Sequence, residues 1–176
     1  MSDAPKGLPG ELMMWVLIFS ELAVFGAGLA AFMAVRLGDP VGFADARNHL
    51  MVEFAGINTI ILVTSGLFAA LAVIANAARA SRLWLGAASL LGLVFLWIKG
   101  IEYSSKAAAG ITFETHSFFT FYYLLTGFHA AHVIAGIVIL ALVGIRAQPA
   151  EIQTGVAFWH MVDLVWVLLF PVIYLL

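Results

Sequence analysis

The chain has 176 residues, 64% of them hydrophobic and 10% charged, with a formal net charge of −2 and a mean hydropathy of +1.07. Soluble domains run to about 45–50% apolar and about 25% charged residues, so this composition excludes a soluble fold and makes the bilayer the solvent. The absence of cysteine excludes disulfides, thiolate metal sites and cysteine nucleophiles, and the lack of a basic run argues against nucleic acid.

The N-terminal stretch MSDAPKGLPGELMMW lacks the basic region and small-residue cleavage site of a signal peptide, so the first apolar span is expected to be retained. About 20 residues of helix cross the hydrocarbon core. Five stretches qualify, at about 12–35, 57–78, 83–103, 118–145 and 155–176. They predict an all-α integral membrane bundle forming a single transmembrane domain. Pro9 and Gly10 precede the first span, and a polar loop from Arg36 to Glu53, holding Gly38, Asp39 and Pro40, follows it. Spans two and three are joined by a few residues around Arg79 and Arg82, which makes them antiparallel neighbours. Ala147 to Thr154 joins spans four and five. No internal repeat is visible, which weakens a reading as an inverted-repeat transporter. Small residues four apart, Gly26 and Ala30, Gly66 and Ala70, and Gly127 and Ala131, are candidates for close helix approach.

Orientation is finely balanced. Lys6, Arg79, Arg82 and Arg146 lie on the N-terminal side, and Arg36, Arg47 and Lys106 lie opposite, with Lys99 near that end of span three. The two arginines of the shortest loop favour a cytoplasmic N-terminus under the positive-inside rule.

The polar residues inside the spans carry the functional reading, because an Asp at mid-helix costs about 2.5–3.5 kcal/mol on insertion scales. Glu21 lies roughly 14 Å into span one and Asp163 roughly 12 Å from the same face, at 1.5 Å per residue. His129 and His132 lie near the middle of span four. Glu21, His129, His132, His160 and Asp163 are therefore expected to form one buried polar cluster. His160 and Asp163, like His129 and His132, are three apart and share a helix face. Two uses are open: fixing helix register through hydrogen bonds, or handling protons. Lys99 and Glu102, also three apart, are read as an interfacial ion pair anchoring the end of span three. Trp159, Asp163, Trp166 and Phe170 form one stripe, with Trp159, Trp166 and Phe170 as a packing surface for a neighbouring helix or a partner subunit.

No zinc signature, phosphate loop or Ser-His-Asp arrangement is present, and no metal or other cofactor is expected. A bis-histidine haem b site from His132 and His160 is an alternative. It is disfavoured by the acid beside His160 and by the position of His49 and His116 in loops of the opposite face. A small proton-coupled transporter is a further alternative.

These residues resemble subunit III of the haem–copper oxidase superfamily. The final span is similar to a W-H-x-V-D-x-x-W pattern at Trp159, His160, Val162, Asp163 and Trp166. Span four is similar to T-G-x-H-x-x-H-V at Thr126, Gly127, His129, His132 and Val133, with Gly136 following. Span two has N-T-x-x-L at Asn58, Thr59 and Leu62, then Thr64 and Ser65. Span three ends in Glu102 and Tyr103, and span one carries Ser20, Glu21 and Phe25. The chain resembles the last five of the seven helices of the long members. Ala130 stands where many members have glycine, and Lys99 where oxidase members often have glutamine. The ending at Phe170, Pro171, Tyr174 and Leu175 is closer to the short branch associated with nitric oxide reductase. The resemblance implies a non-catalytic accessory subunit without its own metal. It would pack in lipid against a catalytic haem–copper subunit in a bacterial cytoplasmic membrane and support assembly, stability and proton uptake. Glu21 matches the family's buried, carbodiimide-sensitive glutamate.

Overall fold

Helices account for nearly every residue that the structure, a computed structural model, describes: 12–75 and 77–176. Lys6, Pro9 and Gly10 lie outside the described residues. Helix α1 spans Leu12–Gly38, α2 Pro40–Arg47, α3 Val52–Ile74, α4 Ala78–Ala108, α5 Ser117–Arg146 and α6 Pro149–Phe170. The last runs on through a π-helical turn at Pro171–Leu175. Five of these helices are long and apolar enough to cross a membrane.

The observed helices overrun the expected spans. α3 begins at Val52 rather than near 57, α4 covers Ala78–Ala108 rather than 83–103, and α6 begins at Pro149 rather than near 155. Apolar runs mark the part of a helix that hydrocarbon tolerates. The hydrogen-bonded backbone continues beyond it through Glu53, Arg79, Arg82, Lys106 and Glu151. The stretch read as a polar loop after span one also contains α2. Asp39 caps that helix by accepting from the Gly42 amide at 3.0 Å, and Pro40 sits in its first turn; both are helix-start signals. At the end of α4, Gly110 takes φ +74°. The Ile111 amide then reaches back to the Lys106 carbonyl at 3.0 Å and the Gly110 amide to Ala107 at 3.0 Å, a closure that favours glycine in the left-handed position.

α6 is the most enclosed span, packing against α1, α3 and α5. Trp159 is its central anchor. Its indole lies between α4 and α5, where a Cβ at Gly92 would stand 2.7 Å from the ring and one at Gly136 only 2.6 Å. Its Nε1 donates to Ser65 Oγ at 3.1 Å, and that hydroxyl donates to the Ala88 carbonyl at 2.8 Å. One side chain thus joins four helices. Trp166 repeats the device lower down, donating to Thr59 Oγ1 at 2.9 Å. Both tryptophans are fully buried, so the inner stripe of α6 packs within this bundle; Phe170 is half-buried at its end. Of the small-residue pairs, only Gly66 makes a close approach. A Cβ at Gly26 would meet nothing, and one at Gly127 only the Tyr103 hydroxyl at 3.9 Å.

Arginines close the helix ends. Arg82, in the first turns of α4, donates from Nε and Nη2 to the carbonyls of Gly144 and Ile145, each at 3.0 Å, satisfying the open end of α5. On the other face Arg36 donates to the Leu176 carbonyl and Arg47 to the Leu175 carbonyl at 2.9 Å. α5 itself ends on Ala147, a non-glycine residue at φ 54°.

Candidate functional site

The five residues expected to form one cluster occupy three separate places. Among the described residues, no hydrogen bond or ion pair links one place to another. The first is Glu21 with His132. His132 Nε2 lies 3.1 Å from Glu21 Oε2, close but without hydrogen-bond alignment. His132 Nδ1 contacts the Phe128 carbonyl at 2.9 Å. A carbonyl only accepts, so Nδ1 carries the proton. Any bond between Nε2 and Glu21 then needs one further proton, held on the imidazole or on the carboxyl. The edges of Phe25 and Phe128 pack against this ring at centroid distances of 5.5 and 4.6 Å.

The second place is His129, fully buried and with neither ring nitrogen hydrogen-bonded. It stacks on Trp166 at 5.2 Å and meets Phe95 edge-on at 5.6 Å. A three-residue step rotates a helical side chain by about 60° from its neighbour. That offset sends His129 inward and His132 towards α1.

The third place is His160 with Asp163. His160 Nδ1 lies 3.7 Å from Asp163 Oδ2, and the His160 side chain is 46% exposed. Asp163 is buried in a slot over Gly66, where a Cβ would stand 2.2 Å from Oδ2. Among the described residues, neither Asp163 oxygen has a hydrogen-bond partner.

Lys99 and Glu102 pair at 2.8 Å, enclosed by the helices rather than on the bundle's surface. Both are buried in the bundle, 2% and 1% exposed. Lys99 Nζ also donates to the hydroxyls of Tyr174 at 2.8 Å and Tyr122 at 3.3 Å, and the rings of Tyr103, Tyr122, Trp166 and Tyr174 surround it. Lys106 Nζ binds the other Glu102 oxygen at 2.9 Å, and the Tyr174 hydroxyl donates to the same carboxylate at 3.1 Å. Two ammonium groups therefore share one carboxylate. Reading span three as ending near Tyr103 put the pair at the surface; α4 continues to Ala108 and carries Lys106 over it. The signal for Lys106 was present as its i+4 spacing from Glu102. Tyr174 is delivered by the π turn, which no sequence period announces.

His132 and His160 face different carboxylates, so they do not supply the axial pair of a bis-histidine haem. Among the described residues, no group of three His, Asp or Glu is placed to hold a metal ion.

The family model for cytochrome c oxidase subunit III matches residues 6–176. The chain belongs to that family. Its members are non-catalytic accessory subunits of haem–copper oxidases, and family subunits associate with subunit I. The chain is 32% identical over 182 residues to cytochrome c oxidase subunit 3 of Corynebacterium diphtheriae, covering 94% of this chain and 88% of that one. It is 31% identical to the protein of the same name from Thermostichus vulcanus, over 94% of this chain and 86% of the relative. A third relative, heme-copper oxidase subunit I+III of Aeropyrum pernix, is 32% identical across 92% of this chain and 22% of its own length. Membership replaces the haem-cytochrome and transporter readings. The relatives named here are oxidase subunits and lend no support to the nitric oxide reductase branch.

Proposed function

We propose that this subunit packs against the catalytic haem–copper subunit of an oxygen-reducing respiratory complex in a bacterial cytoplasmic membrane, stabilises it, and exchanges a proton at Glu21 and His132. The partner assignment is supported by the Aeropyrum pernix relative, whose name joins subunit I and subunit III in one chain. The proton role is supported by one observation above all: Glu21 and His132 stand 3.1 Å apart inside the span, and with Nδ1 turned to the Phe128 carbonyl a hydrogen bond between them would form only on taking up one further proton. A carboxyl beside an imidazole inside an apolar span is suited to taking up and returning a proton. A cytoplasmic N-terminus is supported by Arg79 and Arg82 at the start of α4, with Arg146 at the neighbouring end of α5.

Glu21→Gln in the assembled complex tests the proton role. The expected result is normal assembly with slower proton uptake or faster inactivation during turnover. Unchanged assembly, turnover and inactivation would overturn it. Oxygen and nitric oxide consumption by the complex that co-purifies with the chain decides which substrate the partner reduces.

A further inference from the structure

We infer that the outward face of α6 around His160, with the adjoining edge of α3, is the surface on which the catalytic subunit docks, through a transmembrane helix that offers a hydrogen-bonding side chain to His160. This rests on the accessory-subunit reading and goes beyond it by naming the face and the chemistry that covers it.

The argument begins with depth. His160 stands roughly 17 Å along its helix from Pro149, at 1.5 Å per residue, within a span that runs from Pro149 to Leu175. The apolar run begins near residue 155, so by the same rise His160 lies roughly 8 Å inside the hydrocarbon. Its side chain is nonetheless 46% exposed. Beside it, Asp163 is only 8% exposed yet has both carboxylate oxygens unbonded. The contact between the two, at 3.7 Å, is too long for a hydrogen bond. Among the described residues the bundle leaves this pair without a hydrogen bond, although it satisfies Trp159 and Trp166 on the inner stripe of the same helix and Tyr174 on the π turn beyond it.

What covers such a face is restricted by chemistry. Acyl chains carry neither donor nor acceptor, and lipid headgroups sit at the interface rather than within the hydrocarbon. A protein side chain is the remaining class of partner for an imidazole at this level, and polar side chains join transmembrane helices in this way. The surroundings suit a helix. Leu164, Val167 and Leu168 continue the His160 stripe on α6, and Val63 and Leu67 flank Gly66 on α3; all five are exposed. Gly66 is already covered by the Asp163 carboxylate, which leaves His160 as the polar group of the pair that faces outward.

The test uses the intact complex in mild detergent. A photo-reactive amino acid at Leu164 or Leu168 is expected to cross-link to the catalytic subunit, identified by mass spectrometry of the conjugate. The same probe at Leu90, exposed on α4, serves as the control and is expected to give little. His160→Leu is expected to cause a several-fold loss of this subunit from the complex on detergent washing. A face that meets only lipid predicts the opposite, because leucine is favoured over histidine there. Cross-links from Leu164 and Leu168 to lipid or to a second copy of this chain would overturn the inference, as would equal cross-linking from Leu90. So would His160→Leu with retention unchanged or improved. Failure of the chain to co-purify with any catalytic subunit would instead overturn the accessory reading.

Discussion

The two sides of α6 treat polar groups in opposite ways. On the inner side Trp159, Trp166 and Tyr174 each reach a partner on another helix, at 3.1, 2.9 and 2.8 Å. On the outer side His160 is 46% exposed, and among the described residues it has only the buried Asp163 beside it, at 3.7 Å. A membrane helix lacks water to fall back on, so an unbonded polar group there costs free energy that a folded bundle alone does not recover. The inner side shows what this bundle needs for its own cohesion, and the outer side shows what it leaves for something else to complete.

The difference can be broken first at Glu102. Glu102→Gln leaves Lys99 and Lys106 buried without their shared carboxylate, and is expected to cost about 3–5 kcal/mol. Thermal unfolding of the purified subunit in mild detergent reads this, and adding Lys106→Met should restore part of the loss. Gly136→Val places methyl groups in the seat of the Trp159 indole, with an expected cost of about 1–3 kcal/mol by the same measurement. Asp163→Asn removes a carboxylate that has no hydrogen bond to lose among the described residues, and should cost about 1 kcal/mol or less in the isolated subunit. A loss there as large as that of Glu102→Gln would erase the contrast between the two sides.

The smallest effect lies outside the spans and serves as a control. The Gly42 amide, and next to it His116, hold the Asp39 carboxyl below its ordinary value. A carboxylate lowered on folding stabilises above its unfolded value of about 3.9. That contribution is lost as pH falls through the folded value. The cap on α2 is therefore intact at neutral pH and should loosen only below about pH 4, seen as faster hydrogen exchange at the Gly42 amide while the membrane helices stay protected.

The five crossings were legible because hydrocarbon selects strongly for apolar runs, and the order of motifs carried the family. Other features depended on the third dimension. α2 has only a few residues, but Asp39 and Pro40 announced it. The supposed five-residue cluster failed because equal depth does not mean equal azimuth: His129 faces Trp166, His132 faces Glu21, and His160 faces outward. The Lys99–Glu102 pair follows from its spacing, but its enclosure does not, because hydropathy ends the span near Tyr103 whereas α4 runs on to Ala108 and brings Lys106 over it. The Trp159 seat is made by Gly92 and Gly136 on two other helices, a meeting that spacing along one helix does not encode.

The position of Trp159 also bears on biogenesis. Its neighbours Ser65, Gly92 and Gly136 lie on α3, α4 and α5, all of which leave the ribosome before α6. Chains generally fold from the N-terminal side during synthesis, but here the segment that locks the others arrives after them. Until it inserts, the earlier helices hold an open slot where the indole belongs. Chains truncated before α6 should therefore be short-lived substrates for membrane proteolysis, and arrival of α6 marks the moment at which the subunit becomes protease-resistant.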